Sequence, residues 1–440
     1  MEEFIKTLTD QMRCVKARDS VARELSDHIA DQTEAYEQSG MEHNQAVEKA
    51  VREMGDPVEI GVSMDRIHRP QIDWKMLLIT FVLSIAGFLC MTPMYGFEHM
   101  KTSQILFTLI GFAVITLVYF IDYSMIGCIG AIAYIVMTVL FFILKKCLPM
   151  INGRQTAMFI LVYLYVPLFA GILYQLRKGG YKSVILGFAV IGITFAAVLY
   201  LSNNFVAAVN IFLMMAILLI TAVVKGMFGK NKKYITMMAA VAVILPVIAS
   251  FWYINRHMAT YQIVRLNAFF HRDQFRTNNN YVYGVIEDVL KNAKLIGTGT
   301  SKYAQENHFL AFSEGELLPL AVIYSYGIIA AVLLFILLAV FILRAMKIVR
   351  GQKNQLGFLV SMACLLVLSV NCLEGILVGV GLFPVVTVAI PFLTRGGSTV
   401  IVYSIIVGLL LSIHRYEKVY TREIDVYQPR WRVSLKVERR

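Results

Sequence analysis

Long apolar runs separated by short polar segments dominate the chain from Trp74 onward. Most of these runs approach or exceed the ~20 residues that a helix needs to cross a membrane. The predicted spans are 75–94, 104–121, 124–144, 157–175, 183–201, 204–224, 234–253, 318–343, 356–379 and 398–413. We therefore expect an all-α, polytopic membrane protein of about ten transmembrane helices.

Residues 1–73 follow a different pattern, in which isolated apolar residues recur at helical spacing among polar ones. Val21, Leu25 and Ile29 are one such set. Asp56, followed by a proline, has the residue types of a helix start. We predict a small helical domain ahead of the membrane helices. The expected divisions are a cytoplasmic acidic prefix domain in 1–73, a membrane domain in 74–413 and a basic cytoplasmic tail in 414–440.

Composition and charge agree with this division. The chain is 58% hydrophobic and only 16% charged. Residues 1–73 hold 9 Lys and Arg against 16 Asp and Glu, whereas the remainder holds 32 against 13. The net charge of +12 thus comes from basic loops at a membrane surface, and we expect no nucleic-acid partner. The six cysteines are scattered without a CxxC pair, which indicates neither a disulfide framework nor a zinc site.

Basic residues also predict the orientation of the helices. Clusters of Lys and Arg fall on one side of the membrane if both termini are cytoplasmic. These clusters lie in 177–182, 225–233, 344–353 and the tail from 414, and Lys145, Lys146 and Arg154 are the exception. The same orientation places the 64-residue loop 254–317 outside, and a loop of that length is typically functional or disordered. We expect an ordered, functional external loop.

The run Pro391-Phe-Leu-Thr-Arg-Gly-Gly-Ser-Thr399 interrupts the apolar pattern near the C-terminus. Gly396 and Gly397 allow backbone conformations that other residues avoid. Non-helical backbone at membrane depth is tolerated only where protein or a water-filled cavity surrounds it. We therefore predict a re-entrant or helix-start element, with Ser398 beside it, next to a polar cavity.

The long loop carries residues suited to binding a pyrophosphate. The planar guanidinium groups of Arg265 and Arg272 can each bind two phosphate oxygens in a bidentate manner. The glycines Gly297 and Gly299 can let backbone N–H groups approach an anion. The alternative is that these are solvated arginines and ordinary turn glycines.

Two carboxylates at the ends of apolar runs are candidates for chemistry. Glu316 precedes the run 318–343, where partial desolvation would suit a general base. The alternative for Glu316 is a structural carboxylate favoured by the helix dipole. Glu374 lies late in another run, and intramembrane acids are functional candidates by default. For Glu374 we expect Arg395 or a loop arginine as the partner, and the alternative is a headgroup-facing residue at the interface.

These features together resemble the FtsW/RodA/SpoVE (SEDS) family. The motifs that carry the resemblance are a carboxylate eleven residues before a helix glycine, and a Pro…Pro-Phe…Gly-Gly-Ser-(Ser/Thr) run. Here they are Glu316 with Gly327, and Pro384 followed by the run 391–399. The first domain resembles the permease-prefix (HAAS-like) domain, on the residues 46–57.

The family resemblance implies a peptidoglycan glycosyltransferase of the bacterial plasma membrane that polymerises lipid II for division, shape or sporulation. It implies lipid II and polyprenyl pyrophosphate as ligands, and a transpeptidase, a class B penicillin-binding protein, as partner. No cofactor is indicated, and a divalent-cation requirement stays open. Glu316 is the expected general base. The expected substrate-binding residues are Arg265, Arg272, Gly297, Gly299, Glu374, Gly396, Gly397 and Ser398.

The chain departs from the family pattern at the expected base. The family has an aspartate followed by an aromatic residue, whereas this chain has Glu316 followed by leucine. The residues before the paired glycines also differ, with Arg395 in place of an aromatic. Two alternative functions therefore stay open: a flippase or transporter for lipid-linked precursors, and a non-catalytic scaffold that recruits a cell-wall synthase.

Overall fold

The computed structural model describes most of the chain. The residues described are 1–95, 97–148, 150–151, 154–155, 157–229, 244, 248, 256, 260–270, 281–301 and 315–419.

Residues 2–67 form four helices, of which the second is much the longest. They are α1 (Glu2–Asp10), α2 (Val15–Gln38), α3 (His43–Glu53) and α4 (Pro57–Ile67). The Asp56 side chain accepts a hydrogen bond from the Val58 amide at 3.3 Å, as expected for the residue that caps α4. Gly40 and Gly55 follow α2 and α3 with φ of +94° and +92°, so each ends a helix with a left-handed turn.

The first half of the membrane region contains long, apolar helices. They are α5 (Trp74–Tyr95), α6 (Phe97–Phe120), α7 (Ser124–Cys147), α8 (Met158–Leu161), α9 (Tyr165–Gln175), α10 (Gly180–Ser202) and α11 (Phe205–Val224). A short antiparallel pair of strands, β1 (Met150–Ile151) and β2 (Arg154–Gln155), precedes α8. A single 3-10 turn, Val162–Leu164, joins α8 to α9, so that the two form one continuous rod.

The second half combines two helices of the long loop with the remaining membrane helices. They are α12 (Thr260–Phe270), α13 (Tyr281–Lys291), α14 (Leu318–Tyr326), α15 (Ile328–Gly351), α16 (Gln355–Gly379) and α17 (Gly397–Arg415). Among the described residues, nine helices are long and apolar enough to cross a membrane. The all-α polytopic prediction is confirmed by these helices, and the expected span 234–253 lies outside the described residues except at positions 244 and 248.

The predicted span 318–343 is wrong as a single helix, because the chain breaks at Gly327. This glycine has φ of +96°, a conformation that side chains rarely adopt. A Cβ at this position would also lie 2.6 Å from the Leu295 carbonyl oxygen. The break leaves the short helix α14 on one side and the spanning helix α15 on the other.

Burial distinguishes central from peripheral helices. The rod Met158–Gln175 is 78% buried and α16 is 67% buried, whereas α6 and α7 are each 22% buried over their apolar windows. The buried helices therefore form the centre of the bundle, and the others present apolar side chains to lipid.

The four N-terminal helices pack against one end of this bundle. Lys16 forms a salt bridge with Asp122, in the turn between α6 and α7. Asp73, directly before α5, pairs with Arg344 of α15 at 2.8 Å, and its side chain is only 1% exposed. The segment between α16 and α17 lies at the opposite end of the bundle. Helix α17 begins after this segment and packs along α6, and both helices end near the turns that contact the N-terminal domain.

Candidate functional site

The segment between α16 and α17 forms the non-helical element that the sequence predicts. Residues 384–390 have no regular secondary structure, residues 391–393 form a turn, and α17 begins at Gly397. Phe392 adopts φ of +60° in this turn although it has a bulky side chain. Such strain persists only where the surroundings over-determine the conformation. Of the two predicted possibilities, a re-entrant element or a helix start, the structure has the helix start. The surrounding residues hold the turn before it in place.

Glycines on the neighbouring helices let this segment approach their backbones. A Cβ at Gly87 of α5 would lie 2.3 Å from the Phe392 carbonyl oxygen. A Cβ at Gly375 of α16 would lie 2.3 Å from Ile390 Cγ1. Because real Cβ contacts are longer than this, both positions require glycine while the segment keeps its place.

Glu316 lies in a tight turn that touches the same segment. Gly315 has φ of +90°, and its Cβ position would be 3.4 Å from Cγ2 of Thr394. Leu317 is fully buried next to it, whereas Glu316 is partly exposed. The turn leads directly into α14, so the carboxylate lies at the helix end where the dipole favours negative charge. The fold therefore brings Glu316 beside the Pro-Phe…Gly-Gly run.

The Gly297-Thr-Gly299 motif is bonded to the end of α14. The Gly297 amide donates to the Tyr326 carbonyl at 3.0 Å, and the Gly299 amide donates to the Tyr324 carbonyl at 2.8 Å. These carbonyls belong to the last turn of a helix, where intrahelical partners are missing. Both glycine amides are thus engaged within the fold, and the substrate-binding role predicted for the two residues stays a prediction.

The same stretch of loop also caps α15 across the break at Gly327. The Ile328 amide donates to the Lys294 carbonyl at 3.0 Å, and the Ile329 amide donates to the Leu295 carbonyl at 3.2 Å. These are the first amides of α15, which otherwise lack partners. Sequence reasoning missed this docking, and its one signal was a glycine inside an apolar run.

Helix α13 of the long loop packs over the candidate site. Tyr283 is buried, and its hydroxyl accepts a hydrogen bond from the Val385 amide at 3.0 Å. Ile286 fills the space beside Gly381, where a Cβ would lie 2.9 Å from Ile286 Cγ2. A separate apolar cluster joins α13 to Leu317 and Leu320. The loop is therefore anchored to the same elements that hold Glu316, and Tyr283 is a structural residue for which the sequence indicated no role.

Glu374 lies inside the bundle and binds an amide. Asn210 of α11 donates from Nδ2 to Glu374 Oε2 at 2.8 Å, and the same nitrogen is 3.5 Å from the Tyr163 hydroxyl. Glu374 Oε1 is buried and has no hydrogen-bond partner. The partner found here is Asn210 rather than an arginine, and the substrate-binding role of Glu374 stays a prediction.

Only some of the remaining predicted substrate-binding residues lie in the part of the chain that the structure describes. Arg265 lies on α12, but its side chain is outside the described part, and Arg272 is outside the described residues. Gly396 precedes α17 with φ of +143°, and Gly397 begins that helix. Ser398 follows in the first turn and is half-buried. The three residues thus form the N-terminal end of α17.

No group of three or more His, Cys, Asp and Glu side chains in the described ranges could hold a metal ion.

Comparison with curated proteins finds distant relatives. Stage V sporulation protein E of Bacillus subtilis (strain 168) is 27% identical over 124 residues, which cover 28% of this chain and 34% of that protein. A probable peptidoglycan glycosyltransferase FtsW of Trichlorobacter lovleyi is 22% identical over 187 residues, covering 42% of this chain and 48% of that protein. The chain thus spans about a third to a half of the length of the curated relatives it matches.

Solved structures share the fold over most of the chain. A chain from a peptidoglycan synthase complex, described as coordinating polymerization and crosslinking, has a TM-score of 0.59 at 17% identity and covers 79% of this chain and 98% of that chain. The rod shape determining protein RodA of Thermus thermophilus has a TM-score of 0.50 at 14% identity and covers 78% and 97%. The model of a family described as FTSW_RODA_SPOVE, cell cycle protein, matches residues 72–419. Because that match covers most of the sequence and the fold agrees, this multi-pass membrane protein belongs to the FtsW/RodA/SpoVE family of cell cycle proteins.

Proposed function

We propose that this protein is a peptidoglycan glycosyltransferase that polymerises lipid II, with Glu316 as the general base. One contact carries the proposal: the Gly315 turn lies against Thr394, in the run that leads into the Gly-Gly start of α17, and Glu316 is the next residue of that turn. The names of the relatives, probable peptidoglycan glycosyltransferases, support the same reaction.

In the proposed reaction, Glu316 takes the proton of the acceptor hydroxyl as its oxygen attacks the anomeric carbon of the donor sugar. The bond from that carbon to the pyrophosphate oxygen breaks, and the electron pair leaves with polyprenyl pyrophosphate. A positioned carboxylate contributes by removing the proton as the new bond forms. Partial exposure of Glu316 lets a substrate reach it, while buried Leu317 holds the turn in place.

The leaving pyrophosphate needs positive charge or N–H donors as its charge develops. We assign part of this task to the first turn of α17, at Gly397 and Ser398, because the amides of a helix N-terminus point toward an anion. The first backbone bond of this helix runs from the Val400 amide to the Gly396 carbonyl, so the amides before it have no partner within the helix. Arg265 and Arg272 are the proposed cationic contacts.

The decisive experiment measures glycan chains made from lipid II by the purified full-length protein. We expect Glu316→Gln to lower polymerisation by at least about 10²-fold, because the amide cannot accept the proton. Glu316→Asp should keep much of the activity, since the family has aspartate at this position. The control is Glu287→Gln, which changes an exposed carboxylate on α13.

Polymerisation that is unchanged in Glu316→Gln would overturn the assignment. Movement of labelled lipid II across liposomes by that inactive variant would instead favour a transporter. Capture of a cell-wall synthase without turnover by either form would favour a scaffold.

We further propose a transpeptidase of the class B penicillin-binding type as partner, and a cytoplasmic position for both termini in a bacterial plasma membrane. The coupling of polymerization with crosslinking in the similar complex supports the partner. The basic loops support the orientation. A membrane-impermeant thiol reagent tests the orientation. If the N-terminus is cytoplasmic, the reagent should label Cys14 only after the cells are opened.

A divalent cation is a further component to test, and the reaction above contains no step through one. Chelation by EDTA followed by addition of Mg²⁺ measures the requirement. A fall and recovery of polymerisation in the wild-type protein would show that the activity requires the ion.

A further inference from the structure

A cleft between three membrane helices lies behind the strained turn at Phe392. Its walls come from α5, α6 and α17, and the cavity has a volume of about 10 Å³, enough for about one water-sized group. The lining residues are Ser84, Gln104, Thr108, Gly111, Phe112, Ile115, Phe392, Val400 and Ser404. The cleft is separate from the Glu316 turn, which touches the segment at Thr394.

Two polar atoms of lining residues are buried without a hydrogen-bond partner. They are Oε1 of Gln104, a residue that is 2% exposed, and Oγ of Ser404, a residue that is 0% exposed. The other two polar side chains of the cleft are satisfied within their own helices, since Ser84 donates to the Thr80 carbonyl and Thr108 to the Gln104 carbonyl. Buried polar atoms in folded proteins are normally hydrogen-bonded, so an occupant is expected to pair with these two.

A glycine lies in the wall of the cleft, where α6 and α17 approach each other closely. A Cβ at Gly111 would lie 2.7 Å from Val400 Cγ1 and 2.9 Å from Ser404 Oγ. Any side chain there would occupy the space next to the unpaired hydroxyl. Gly111 therefore allows α6 to pack closely on α17 at Ser404, and a larger residue there would displace the groups that line the cleft.

The lining determines the chemistry of the occupant. None of the lining side chains is charged, and a phosphate or ammonium group would lose its hydration without compensation. The Gln104 oxygen only accepts hydrogen bonds, whereas the Ser404 hydroxyl can donate. A hydroxyl group both donates and accepts, so it matches each of these two atoms in hydrogen-bonding type. Phe112, Ile115 and Phe392 offer apolar surface for the carbon atoms attached to it.

We propose that this cleft binds an uncharged hydroxyl group, from a neutral lipid or from water, between α6 and α17. The occupant pairs with Gln104 and Ser404 and fills the space behind Phe392. The inference is independent of the proposed glycosyl transfer, since it uses none of the residues assigned to that reaction.

Native mass spectrometry of the purified full-length protein tests the lipid source. The probes are 1-monooleoylglycerol and methyl oleate, which has the same chain without a free hydroxyl. We expect one bound monooleoylglycerol, little methyl oleate, and about tenfold weaker retention of the first probe in Ser404→Ala and Gly111→Ala. The control is Thr116→Val on the lipid-exposed side of α6, where the hydroxyl bonds to the Phe112 carbonyl of its own helix.

Thermal melting of the same proteins without added lipid tests the water source. If water fills the cleft, Gln104→Leu and Ser404→Ala each lower the melting temperature relative to Thr116→Val, because a satisfied bond is lost, and neither probe is retained. The proposal is overturned if both lipids bind equally. It is also overturned if neither binds and the two variants melt at the same or a higher temperature than the control.

Discussion

Gly379 lies so close to Pro319 that a Cβ at position 379 would be 2.5 Å from the proline Cγ. The contact joins the end of α16 to the start of α14, directly after Glu316. A proline ring cannot rotate away as a flexible side chain can, so the two helix ends are held at one separation.

Gly379→Ala should therefore push α14 away and lower the free energy of unfolding by about 1–3 kcal/mol, the usual cost of overpacking. The matched control is Gly192→Ala in α10, where a Cβ meets nothing within 4 Å. That change should be neutral or stabilising by up to about 1 kcal/mol, because alanine favours helix. Melting in detergent compares the two, and equal melting temperatures would contradict the close contact.

The hydrogen bond from Asn210 to Glu374 predicts that substitutions of its two partners lower the stability by different amounts. Asn210→Leu removes the donor and leaves both carboxyl oxygens of a buried group unpaired, which should cost about 1–3 kcal/mol. Glu374→Gln keeps an oxygen for Asn210 and should cost much less. Chemical unfolding of the two variants measures the difference, and a larger loss in Glu374→Gln would show that the charge of Glu374 is needed.

The buried pair of Asp73 and Arg344 should contribute strongly to holding the start of α5 against α15. Asp73→Asn leaves Arg344 without its carboxylate, and breaking a buried pair from one side costs about 3–5 kcal/mol. Asparagine can still accept from the Met76 amide, which keeps the helix start. The control Arg13→Gln, at a side chain that is 81% exposed, should cost less than about 1 kcal/mol. Melting temperatures that fall equally in both variants would contradict this ranking.

The salt bridge of Lys16 with Asp122 predicts a loss of stability at alkaline pH. Burial of Lys16 opposes its charge, but the hydrogen bond and the charge of Asp122 outweigh burial and raise the pKa of the lysine above 10.5. The stabilisation is therefore complete below about pH 10.5 and is lost as the pH rises through the raised value. The melting temperature of the wild type should exceed that of Lys16→Met at neutral pH, and the gap should close in strong alkali. A gap that instead closes on acidification from pH 9 to pH 6 would contradict the assignment.

Hydropathy predicted the helices well but not the break in one of them. The run 318–343 is apolar throughout, and an apolar pattern does not report backbone angles. Gly327 was the visible signal, yet the structure adds a second reason for glycine there, since the Leu295 carbonyl leaves no room for a Cβ. Leu295 belongs to the long loop, and no local sequence pattern indicates that this loop packs against the break between α14 and α15.

The sequence identified several residues of the candidate site but not the contacts between them. The Pro-Phe…Gly-Gly run and Glu316 were both identified, because glycine pairs and acids are rare in apolar sequence. The hydrogen bond of Asn210 to Glu374 spans 164 positions, and that of Tyr283 with Val385 spans 102. No periodicity connects residues that far apart, so both pairs were missed.

The sequence by itself determined the membrane-spanning architecture, the acidic N-terminal helices and the identity of the unusual residues, because each depends on local composition and spacing. Only the tertiary structure decided that the Glu316 turn meets Thr394, that the amides of Gly297 and Gly299 bond to α14, and that Gln104 and Ser404 share a cleft. These relationships depend on which helix faces approach within a few ångströms, and that follows from packing of the whole bundle.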